Sequence, residues 1–306
     1  MDQAFIKRTL SRQGKEKGKI WLENIPKLIK EFEGKWSIKV TKPYELYINY
    51  VAEAVKPDGS EVVIKICFPE DNEFKNEAAA LKLFNGKGSV KLLNQDLEKG
   101  ILLLERLKPG TSLNNLEDDQ EATRIITGIM KKLWKPIPKQ HQFPSLTNWS
   151  LGFNWYYQHL KQTEKLIPKK IIQEAEKIFR SLLNNPHEQF LLHGDLHHGN
   201  ILSSSKDWLA IDPKGVIGER EYEVAAMLRN PHKKLLLAKD PQKLLKKRIE
   251  ILSKNLGFDK DRMIKWGFAQ TILSVIWNLQ AKGDWWKGWL KIAEILVVGQ
   301  FEINHP

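Results

Sequence analysis

The alternation of apolar and polar residues divides the chain into a sheet-rich first third and a mostly helical remainder. In the first third, short apolar runs predict strands over residues 36–40, 46–55, 61–68, 90–93 and 101–104. Apolar residues at helical spacing predict helices over 20–33 and 72–84. The Pro-Asp-Gly-Ser segment at 57–60 predicts a turn between the second and third strands. These elements favour a sheet accompanied by two helices.

Helical spacing dominates after Pro109 and Gly110, which break the pattern. It predicts helices over 117–134, 152–165, 169–183, 219–229, 240–256, 259–282 and 284–301. A sheet-rich part followed by a helix-rich part is typical of the α+β class. We therefore expect two lobes, a β-rich lobe with a leading helix over 1–107 and a helical lobe over 108–306.

Polar residues follow two short strand-like runs inside the helical part. Asp195 and Asn200 come after the run 190–192, and Asp212 comes after the run 208–211. An aspartate can take the proton of an acceptor hydroxyl, and amide and carboxylate oxygens are ligands that Mg²⁺ prefers. The spacing D-x4-N, then a hairpin, then Asp-x-x-Gly, is typical of phosphoryl transfer. It predicts Asp195 as the base, with Asn200 and Asp212 as metal ligands.

Two charged residues of the first third lie in patterns that otherwise predict burial. Lys65 stands inside the strand-like run 62–68, and Glu77 is centred on the apolar stripe of the helix 72–84. A buried ammonium and a buried carboxylate each need a partner, so we expect the two to pair and to position nucleotide phosphates. Glu73 is the second candidate for this carboxylate. The alternative is that both side chains reach solvent from edge positions.

The charge balance favours an anionic partner. The 306-residue chain has a net charge of +12 and a pI near 9.5, which suits nucleotides, nucleic acids or acidic membranes. The basic runs at 233–234 and 246–248 fall in helical patterns, where a solvated helix face is their usual meaning. We therefore do not expect a nucleic-acid partner.

Neither a membrane span nor a secretory segment is expected. No stretch approaches 18 apolar residues, and residues 1–19 are polar and basic, which predicts a frayed arm before the first helix. Cys67 is the single cysteine, so no intrachain disulfide forms and a cytoplasmic location is expected.

Other chemistries leave weaker patterns. The chain has no G-x4-G-K-[ST] motif, and the glycines at 86 and 88 follow a helix instead of opening one. His193, His197 and His198 lack a further ligand at zinc-finger spacing, so a structural or substrate-contacting role is the more plausible interpretation.

The chain resembles the aminoglycoside phosphotransferase superfamily, and within it the aminoglycoside 6-phosphotransferase (streptomycin 6-kinase) and hydroxyurea kinase family. The resemblance covers roughly residues 20–232, and the Asp-Pro-Lys-Gly form of the metal motif at 212–215 is typical of this subgroup. The matching stretches are residues 74–81, 102–107, 109–111, 193–197, 208–215 and 228–231.

The resemblance implies a protein-kinase-like fold, with ATP and Mg²⁺ as cofactors and a small hydroxylated molecule as phosphate acceptor. It implies Asp195 as the base and Asn200 and Asp212 as Mg²⁺ ligands. It also implies Lys65 with Glu77 as the phosphate pair. The adenine-binding connector then consists of Glu105, Arg106 and Leu107. Streptomycin is the first acceptor to expect, with antibiotic resistance as the corresponding role.

The chain departs from the family pattern at three places. The phosphate-covering loop of the family contains glycine, whereas residues 43–49 contain none. His198 stands where the family motif has proline, and Glu223 stands where an aspartate is expected after the metal motif. No predicted catalytic group is lost through these changes.

The acceptor side is open to several interpretations. Acids at 117–121 and at 219, 221 and 223 suit a polycation, although acids are also favoured in the first turn of a helix. Lys214 offsets phosphate charge in one interpretation and forms an ordinary ion pair in another. The tryptophans of the last helices are more often core than pocket at this spacing; they are Trp266, Trp277, Trp285, Trp286 and Trp289.

Two further functions stay as alternatives. A catalytically weak scaffold that binds anions or nucleic acid would account for the charge and the missing glycines. It would not account for the intact set of five residues predicted to act on phosphate and metal, which are Lys65, Glu77, Asp195, Asn200 and Asp212. A protein kinase would need an activation segment, and the distance from Asp212 to the next predicted helix near 219 is too short for one.

Overall fold

The computed structural model describes residues 1–205 and 207–297. Within it the chain divides into two compact units, of which the first is Met1–Gly110 and the second begins at Thr111. The first unit holds the sheet and the second is mainly helical, which confirms the predicted α+β class.

The first unit contains a five-stranded antiparallel sheet. Two helices precede the first strand in the sequence, and a third lies between the third and fourth strands. The strand order is β1-β2-β3-β5-β4, so β3 lies at the centre of the sheet. The elements are α1 (Gln3–Gln13), α2 (Lys15–Lys35), β1 (Lys39–Pro43), β2 (Tyr50–Val55), β3 (Glu61–Ile66), α3 (Glu73–Phe84), β4 (Leu92–Asp96) and β5 (Ile101–Glu105).

The N-terminal segment is helical, so the predicted frayed arm over 1–19 is wrong. Asp2 caps α1, since its carboxylate accepts a hydrogen bond of 2.7 Å from the amide of Phe5. Phe5 is fully buried, and its ring packs 6.1 Å from that of Trp21 on α2. Few apolar residues anchor this segment, which is why its polar composition concealed the helix.

The predicted strand over 46–55 begins only at Tyr50. Residues 44–49 form a loop between β1 and β2, closed by a hydrogen bond of 2.9 Å from the Tyr44 amide to the Val51 carbonyl. Val51 lies opposite Lys65 of β3, and Lys65 in turn lies opposite Leu102 of β5. Lys65 is therefore placed on the central strand, next to the sheet end that carries this loop.

The second unit places short strands between helices. Its elements are α4 (Asp119–Leu133), α5 (Leu146–Ser150), α6 (Gly152–Gln158), α7 (Leu160–Thr163), α8 (Lys169–Asn184), β6 (Gln189–Leu192), β7 (Ile201–Ser203), β8 (Trp208–Ala210), β9 (Val216–Glu219), α9 (Val224–Leu228), α10 (His232–Leu237), α11 (Pro241–Leu256), α12 (Lys260–Gln280) and α13 (Trp286–Val297). Short 3-10 turns lie at Leu113–Asn115, His198–Asn200 and Arg220–Glu223. The predicted last helix ran to residue 301, and its end lies outside the described residues.

The strands of this unit form two antiparallel pairs. β7 pairs with β8 as a hairpin, and β6 pairs with β9. The chain therefore leaves β6, passes through Asp195 and Asn200, forms the hairpin and returns past Asp212 to β9. Two predicted helices are shorter than expected, because the helix over 152–165 is divided and the one over 219–229 begins as a 3-10 turn. None of the helices in the described part of the chain is both long enough and apolar enough to cross a bilayer.

Candidate active site

The loop of residues 193–200, here called the catalytic loop, carries the candidate base. Gly194 adopts φ +85°, a conformation that side chains other than glycine rarely take. A Cβ atom there would lie 2.9 Å from both the Trp149 ring and a methyl group of Val216. Crowding and dihedral angle both require glycine immediately before Asp195, so the backbone direction at the base is fixed.

One carboxylate oxygen of Asp195 is held by an arginine, and the other lies beside a histidine. Arg229 donates a hydrogen bond of 2.9 Å from Nη2 to Oδ1. Oδ2 lies 3.8 Å from His197 Nε2, beyond hydrogen-bond distance. The Asp195 side chain is 25 % exposed, whereas that of Arg229 is 6 % exposed. The Asp195 side chain therefore stays partly accessible while Arg229 holds its Oδ1.

The surroundings of Asp195 favour its charged form. Burial raises the pKa of this carboxyl, but His197, Arg229 and Lys214 together outweigh burial and hold the pKa below its ordinary value. Arg229 is itself fixed, since its Nη1 donates 2.6 Å to Gln270 Oε1 and its guanidinium lies 5.3 Å from the Trp289 ring centroid. Asp195 is thus an oriented carboxylate at neutral pH.

Arg229 is a site residue that sequence reasoning did not assign. It entered only as part of the family stretch 228–231. The pattern did contain a clue, because an arginine that follows the wholly buried helix α9 needs a partner.

His193 joins the catalytic loop to the loop of residues 211–215. Its Nε2 lies 2.9 Å from the Ile211 carbonyl, and its Nδ1 accepts a hydrogen bond of 3.3 Å from the Asp195 amide. Burial lowers the pKa of His193 to about 4, so the ring is neutral with its proton on Nε2. The His193 carbonyl also accepts a bond of 2.7 Å from the Lys214 amide. The histidine has a structural role, as the sequence favoured.

Glu223 holds the backbone of the catalytic loop through two hydrogen bonds. Its carboxylate accepts hydrogen bonds of 2.8 Å from the His193 amide and 2.9 Å from the Gly194 amide. Burial is the main cause that raises its pKa, to about 7, and its backbone bonds only partly oppose this. The residue that replaces the expected aspartate is therefore an anchor for the backbone at the base.

The expected acidic wall on the acceptor side is not formed by the acids at 219, 221 and 223. Glu219 is buried and accepts bonds of 2.6 and 2.5 Å from Arg262 as well as one from Trp266. Glu221 is buried against His187 at 2.7 Å. Glu221 and Glu223 do lie in the first turn of the 3-10 helix before α9, as the alternative interpretation expected, and all three acids serve internal contacts.

Two acids of the other group are also committed to local structure. Asp118 caps α4 by accepting bonds from the amides of Gln120 and Glu121. Asp119 pairs with the buried Arg248. Arg248 donates further bonds to backbone carbonyls, so this ion pair ties α4 to α11.

The tryptophans divide between core and surface. Trp266 is fully buried and Trp289 is 9 % exposed, which confirms the core assignment for these two. Trp285 is 40 % exposed, and its ring lies 5.7 Å from that of Trp289. Trp289, which contacts the Arg229 guanidinium, is therefore adjacent to an exposed aromatic ring, that of Trp285.

The candidate metal ligands lie on two loops that are bonded to each other. Asn200 donates a bond of 3.0 Å from Nδ2 to the Asp195 carbonyl, which leaves its Oδ1 pointing away from that carbonyl. The Asn200 carbonyl accepts a hydrogen bond of 2.9 Å from the amide of Ile211, the residue immediately before Asp212. This bond joins the backbones of the two candidate ligand loops. Asp212 has φ +58°, an uncommon conformation for a residue with a side chain. Two hard oxygens held this way fit Mg²⁺.

A second group of possible metal ligands does not fit a cation as well. His187, Glu219 and Glu221 offer ligand atoms within 4.8 Å of one another. The two oxygens of Glu219 already accept bonds from Arg262, whose positive charge opposes a cation at that point. This cluster is better explained as an internal ion-pair network.

The expected pairing of Lys65 with Glu77 is confirmed. Lys65 Nζ lies 2.7 Å from each carboxylate oxygen of Glu77, and both residues are buried. Glu73, the second candidate, lies 3.4 Å from Arg12 of α1 instead. The pair joins β3 to α3, while its role with phosphates stays a prediction.

In the predicted adenine connector, the side chains of Glu105 and Arg106 bind other residues of the first unit. Glu105 accepts a bond of 2.7 Å from the Lys91 amide. Arg106 pairs with Glu53 at 2.7 Å and with Glu61 at 3.1 Å. The third member, Leu107, is partly buried. Because the two charged side chains serve the first unit itself, a role in adenine binding would fall to the backbone of this segment.

Comparison with known proteins connects these observations to a family. The model of the aminoglycoside/hydroxyurea antibiotic resistance kinases matches residues 40–282. A streptomycin 6-kinase of Streptomyces glaucescens is 25 % identical over 279 residues, covering 87 % of this chain and 86 % of that protein. A hydroxyurea phosphotransferase of Kitasatospora aureofaciens is 26 % identical over 274 residues, covering 88 % and 77 %.

A solved structure supports the fold. A thermostable mutant of an aminoglycoside phosphotransferase, in a ternary complex with ADP and hygromycin B, has a TM-score of 0.62. It is 12 % identical and covers 90 % of this chain and 99 % of its own. The likeness shows the protein-kinase-like fold that the sequence resemblance implied.

Proposed function

Because the chain belongs to the aminoglycoside/hydroxyurea antibiotic resistance kinase family, we propose that it transfers the γ-phosphate of ATP to a hydroxyl of a streptomycin-like acceptor in a Mg²⁺-dependent reaction. It is an enzyme, a small-molecule phosphotransferase. One observation carries the proposal: Asp195 is a partly exposed carboxylate whose Oδ1 accepts a hydrogen bond of 2.9 Å from the buried Arg229.

Asp195 receives the acceptor hydroxyl through Oδ2. A hydrogen bond to the carboxylate orients the hydroxyl oxygen toward the phosphorus and takes up its proton as the new P–O bond forms. The lowered pKa makes Asp195 a weak base, so positioning is its larger contribution. Arg229 keeps the carboxylate from rotating, because it fixes Oδ1 from a buried position.

Asn200 Oδ1 and the Asp212 carboxylate would hold Mg²⁺ in the second unit. A Mg²⁺ ion held there would supply positive charge that offsets the negative charge of the phosphates. The strained backbone of Asp212 and the hydrogen bonds of His193 keep the two ligand loops at a fixed separation.

Lys65 would contact the phosphates from the first unit. A buried ammonium is stable only beside an acid, and Glu77 supplies that acid with two contacts of 2.7 Å. The proposal therefore gives Glu77 a positioning role and Lys65 a binding role. Replacement of either residue should raise the KM for ATP more than the KM for the acceptor.

The acceptor class follows from the relatives, two of which are streptomycin 6-kinases and one a hydroxyurea phosphotransferase. Of the acids expected to attract a polycation, Glu219, Glu221 and Glu223 are buried and serve internal contacts. Glu117 and Glu121 are exposed, so they are the acids of these two groups that a cationic acceptor could still meet. Trp285 is exposed and its ring lies beside that of Trp289, which in turn lies 5.3 Å from the Arg229 guanidinium, so these rings could contact an acceptor.

A screen of acceptors tests the proposal. Purified protein with Mg²⁺ and ATP is incubated with streptomycin, hydroxyurea and a panel of polyols and amino alcohols, and ADP release and product mass are measured. We expect acceptor-dependent ADP release and a product heavier by one phosphate group with streptomycin. A phosphorylated product with hydroxyurea but not with streptomycin would show that the acceptor resembles hydroxyurea instead of streptomycin. Absence of any product, together with salt-sensitive binding of DNA or RNA, would support the anion-binding alternative.

A further inference from the structure

The glycine-free loop between β1 and β2 is held by an arginine from the first helix. Residues 44–49, here called the β1–β2 loop, lie at the sheet end where Tyr50 pairs with Ile66. Lys65 is the neighbouring position on the same strand. The loop is thus near the residue that we assign to phosphate binding.

Helix α1 and the loop share one hydrophobic core. Phe5 of α1 is fully buried and Leu46 of the loop is 4 % exposed, and both belong to the same buried cluster. Arg8 follows Phe5 by three residues, so it lies on the same face of the helix. Its side chain is brought to the loop by this packing.

Arg8 binds the loop through main-chain carbonyls. Its Nη2 donates a hydrogen bond of 2.6 Å to the Leu46 carbonyl, and its Nε donates one of 3.1 Å to the Tyr47 carbonyl. Its guanidinium carbon also lies 4.8 Å from the centroid of the Tyr47 ring. Two carbonyls in succession therefore point toward one guanidinium.

The orientation of two amides follows from these contacts. In a trans peptide the C=O and N–H groups point in opposite directions. Since the carbonyls of Leu46 and Tyr47 both face Arg8, the amides of Tyr47 and Ile48 both face away from it. Consecutive amides that point the same way form a concave site for anions.

We propose that Arg8 is a positioning residue for the nucleotide: it holds the β1–β2 loop so that the Tyr47 and Ile48 amides bind phosphate oxygens. The inference rests on the proposed function for the nucleotide. In place of glycine, whose lack of a Cβ lets the backbone approach phosphates, this chain uses an external side chain to aim the backbone. Helix α1 lies outside the segment 40–282 that the family model matches.

Arg12 supplies a matched control on the same helix. It lies one turn after Arg8 and pairs with Asp71 at 3.1 Å and with Glu73 at 3.4 Å, but has no contact with the loop among the hydrogen bonds of the described residues. Arg8→Ala and Arg12→Ala therefore remove the same type of side chain and differ in the partner that is lost.

The first measurement separates KM values. We expect Arg8→Ala to raise the KM for ATP about tenfold, as the loss of roughly one charge-assisted hydrogen bond would. Its kcat and its KM for the acceptor should stay within about twofold of wild type. Arg12→Ala should leave all three constants unchanged. An equal rise in the KM for ATP in both variants would reduce Arg8 to a general stabiliser of α1 and overturn the inference.

The second measurement does not need turnover. ADP binding is measured by calorimetry, and hydrogen exchange is followed for the amides of residues 44–49 with and without ADP. We expect ADP to slow exchange at Tyr47 and Ile48 in the wild type and in Arg12→Ala, but much less in Arg8→Ala. A wild type that binds no ADP would defeat the proposed function itself. A wild type that binds ADP with no change at these amides would defeat only the role of Arg8.

A conservative variant covers the case in which Arg8→Ala does not fold. Arg8→Lys keeps the charge but cannot bond both carbonyls in the planar geometry of a guanidinium. We expect a rise of about threefold in the KM for ATP, between those of wild type and Arg8→Ala. An unchanged KM in Arg8→Lys would contradict the requirement for two carbonyl bonds.

Discussion

The catalytic loop and the β1–β2 loop hold their backbones in opposite ways. In the catalytic loop, glycine at 194 allows an unusual φ and Glu223 accepts two amides from a buried position. In the β1–β2 loop, no glycine is present and Arg8 donates to two carbonyls from a partly exposed position. In both loops a side chain from elsewhere in the chain fixes the direction of the backbone. A carboxylate does so by accepting hydrogen bonds from N–H groups, and a guanidinium does so by donating hydrogen bonds to C=O groups.

The difference concerns how strongly each loop depends on its anchor. Glu223 is 1 % exposed, so losing it leaves amides without water or a partner. The carbonyls bound by Arg8 belong to a loop with exposed residues, and water can replace the arginine there. We therefore expect loss of folding stability from changes at the catalytic loop, and loss of nucleotide affinity from changes at Arg8.

The largest effect is expected for Glu223→Ala. Two buried amides, of His193 and Gly194, lose their acceptor, which should lower the free energy of unfolding by about 4 kcal/mol and lower kcat by more than about a hundredfold. Urea denaturation and steady-state kinetics measure both. Glu221→Ala is the control, since its partner His187 is half exposed and its loss should cost about 1 kcal/mol. Equal costs in the two variants would show that Glu223 is no special anchor.

Gly194→Ala should follow, at about 3 kcal/mol, because it combines an unfavourable φ with contacts of 2.9 Å to two side chains. Gly257→Ala isolates the first cause. Gly257 has φ +73°, and a Cβ atom added there would meet nothing within 4 Å, so only about 1 kcal/mol is expected. Thermal unfolding of both variants measures the difference. A cost at Gly194 no larger than that at Gly257 would rule out the crowding.

Leu46→Ala tests whether the β1–β2 loop is anchored by the core. Truncating this buried side chain should cost about 2.5 kcal/mol and should raise the KM for ATP, because the carbonyls would no longer be presented to Arg8. Glu45→Ala, at the exposed neighbouring position, should change stability by less than about 0.5 kcal/mol. Chemical denaturation with parallel kinetics provides the data. A stable Leu46→Ala variant with normal ATP affinity would show that packing of Leu46 into the core does not position this loop.

Within any single pH unit, the smallest effect is a dependence of stability on pH. The pKa of Glu223 is about 7 in the folded state against an ordinary 4.5, so the folded state binds the proton more tightly between these values. The free energy of unfolding that Glu223 contributes therefore falls as pH rises through this window, by up to about 1 kcal/mol per pH unit. Glu223→Gln should lack this slope.

Subtraction of the two curves isolates Glu223 from His193. Burial lowers the pKa of His193 to about 4 from 6.5, which makes stability rise with pH across nearly the same range in both proteins. The difference between wild type and Glu223→Gln, measured by urea denaturation from pH 4.5 to 7, should decline with pH. A flat difference would mean that the pKa of Glu223 is the same in the folded and unfolded states.

The sequence could predict the groups that stand out against a local pattern. Lys65 and Glu77 are charges in apolar stripes, and their pairing follows from the cost of burying either alone. The spacing from Asp195 to Asn200 and Asp212 predicted two neighbouring loops, since a hairpin must return the chain to where it began. These inferences needed only short stretches of sequence.

The anchors of both loops could not be predicted, because their partners are distant in the sequence. Arg229 lies 34 residues from Asp195, Glu223 lies 30 from His193, and Arg8 lies 38 from Leu46. For Glu223 and Arg8 the local pattern cannot reject a solvent-exposed position, whereas the apolar run before Arg229 was a clue that this arginine is buried. Glu219 shows the same limit, since its burial depends on Arg262, which is 43 residues away.

Asp195→Asn tests the central claim most directly. Asparagine keeps the size of the side chain but cannot take a proton, so acceptor-dependent ADP release with Mg²⁺ should fall by about a thousandfold or more in kcat. ADP affinity should stay within about twofold, and Asp207→Asn, at an exposed aspartate of the hairpin, should match the wild type. Turnover in Asp195→Asn equal to that of the wild type would contradict the assignment of Asp195 as the base.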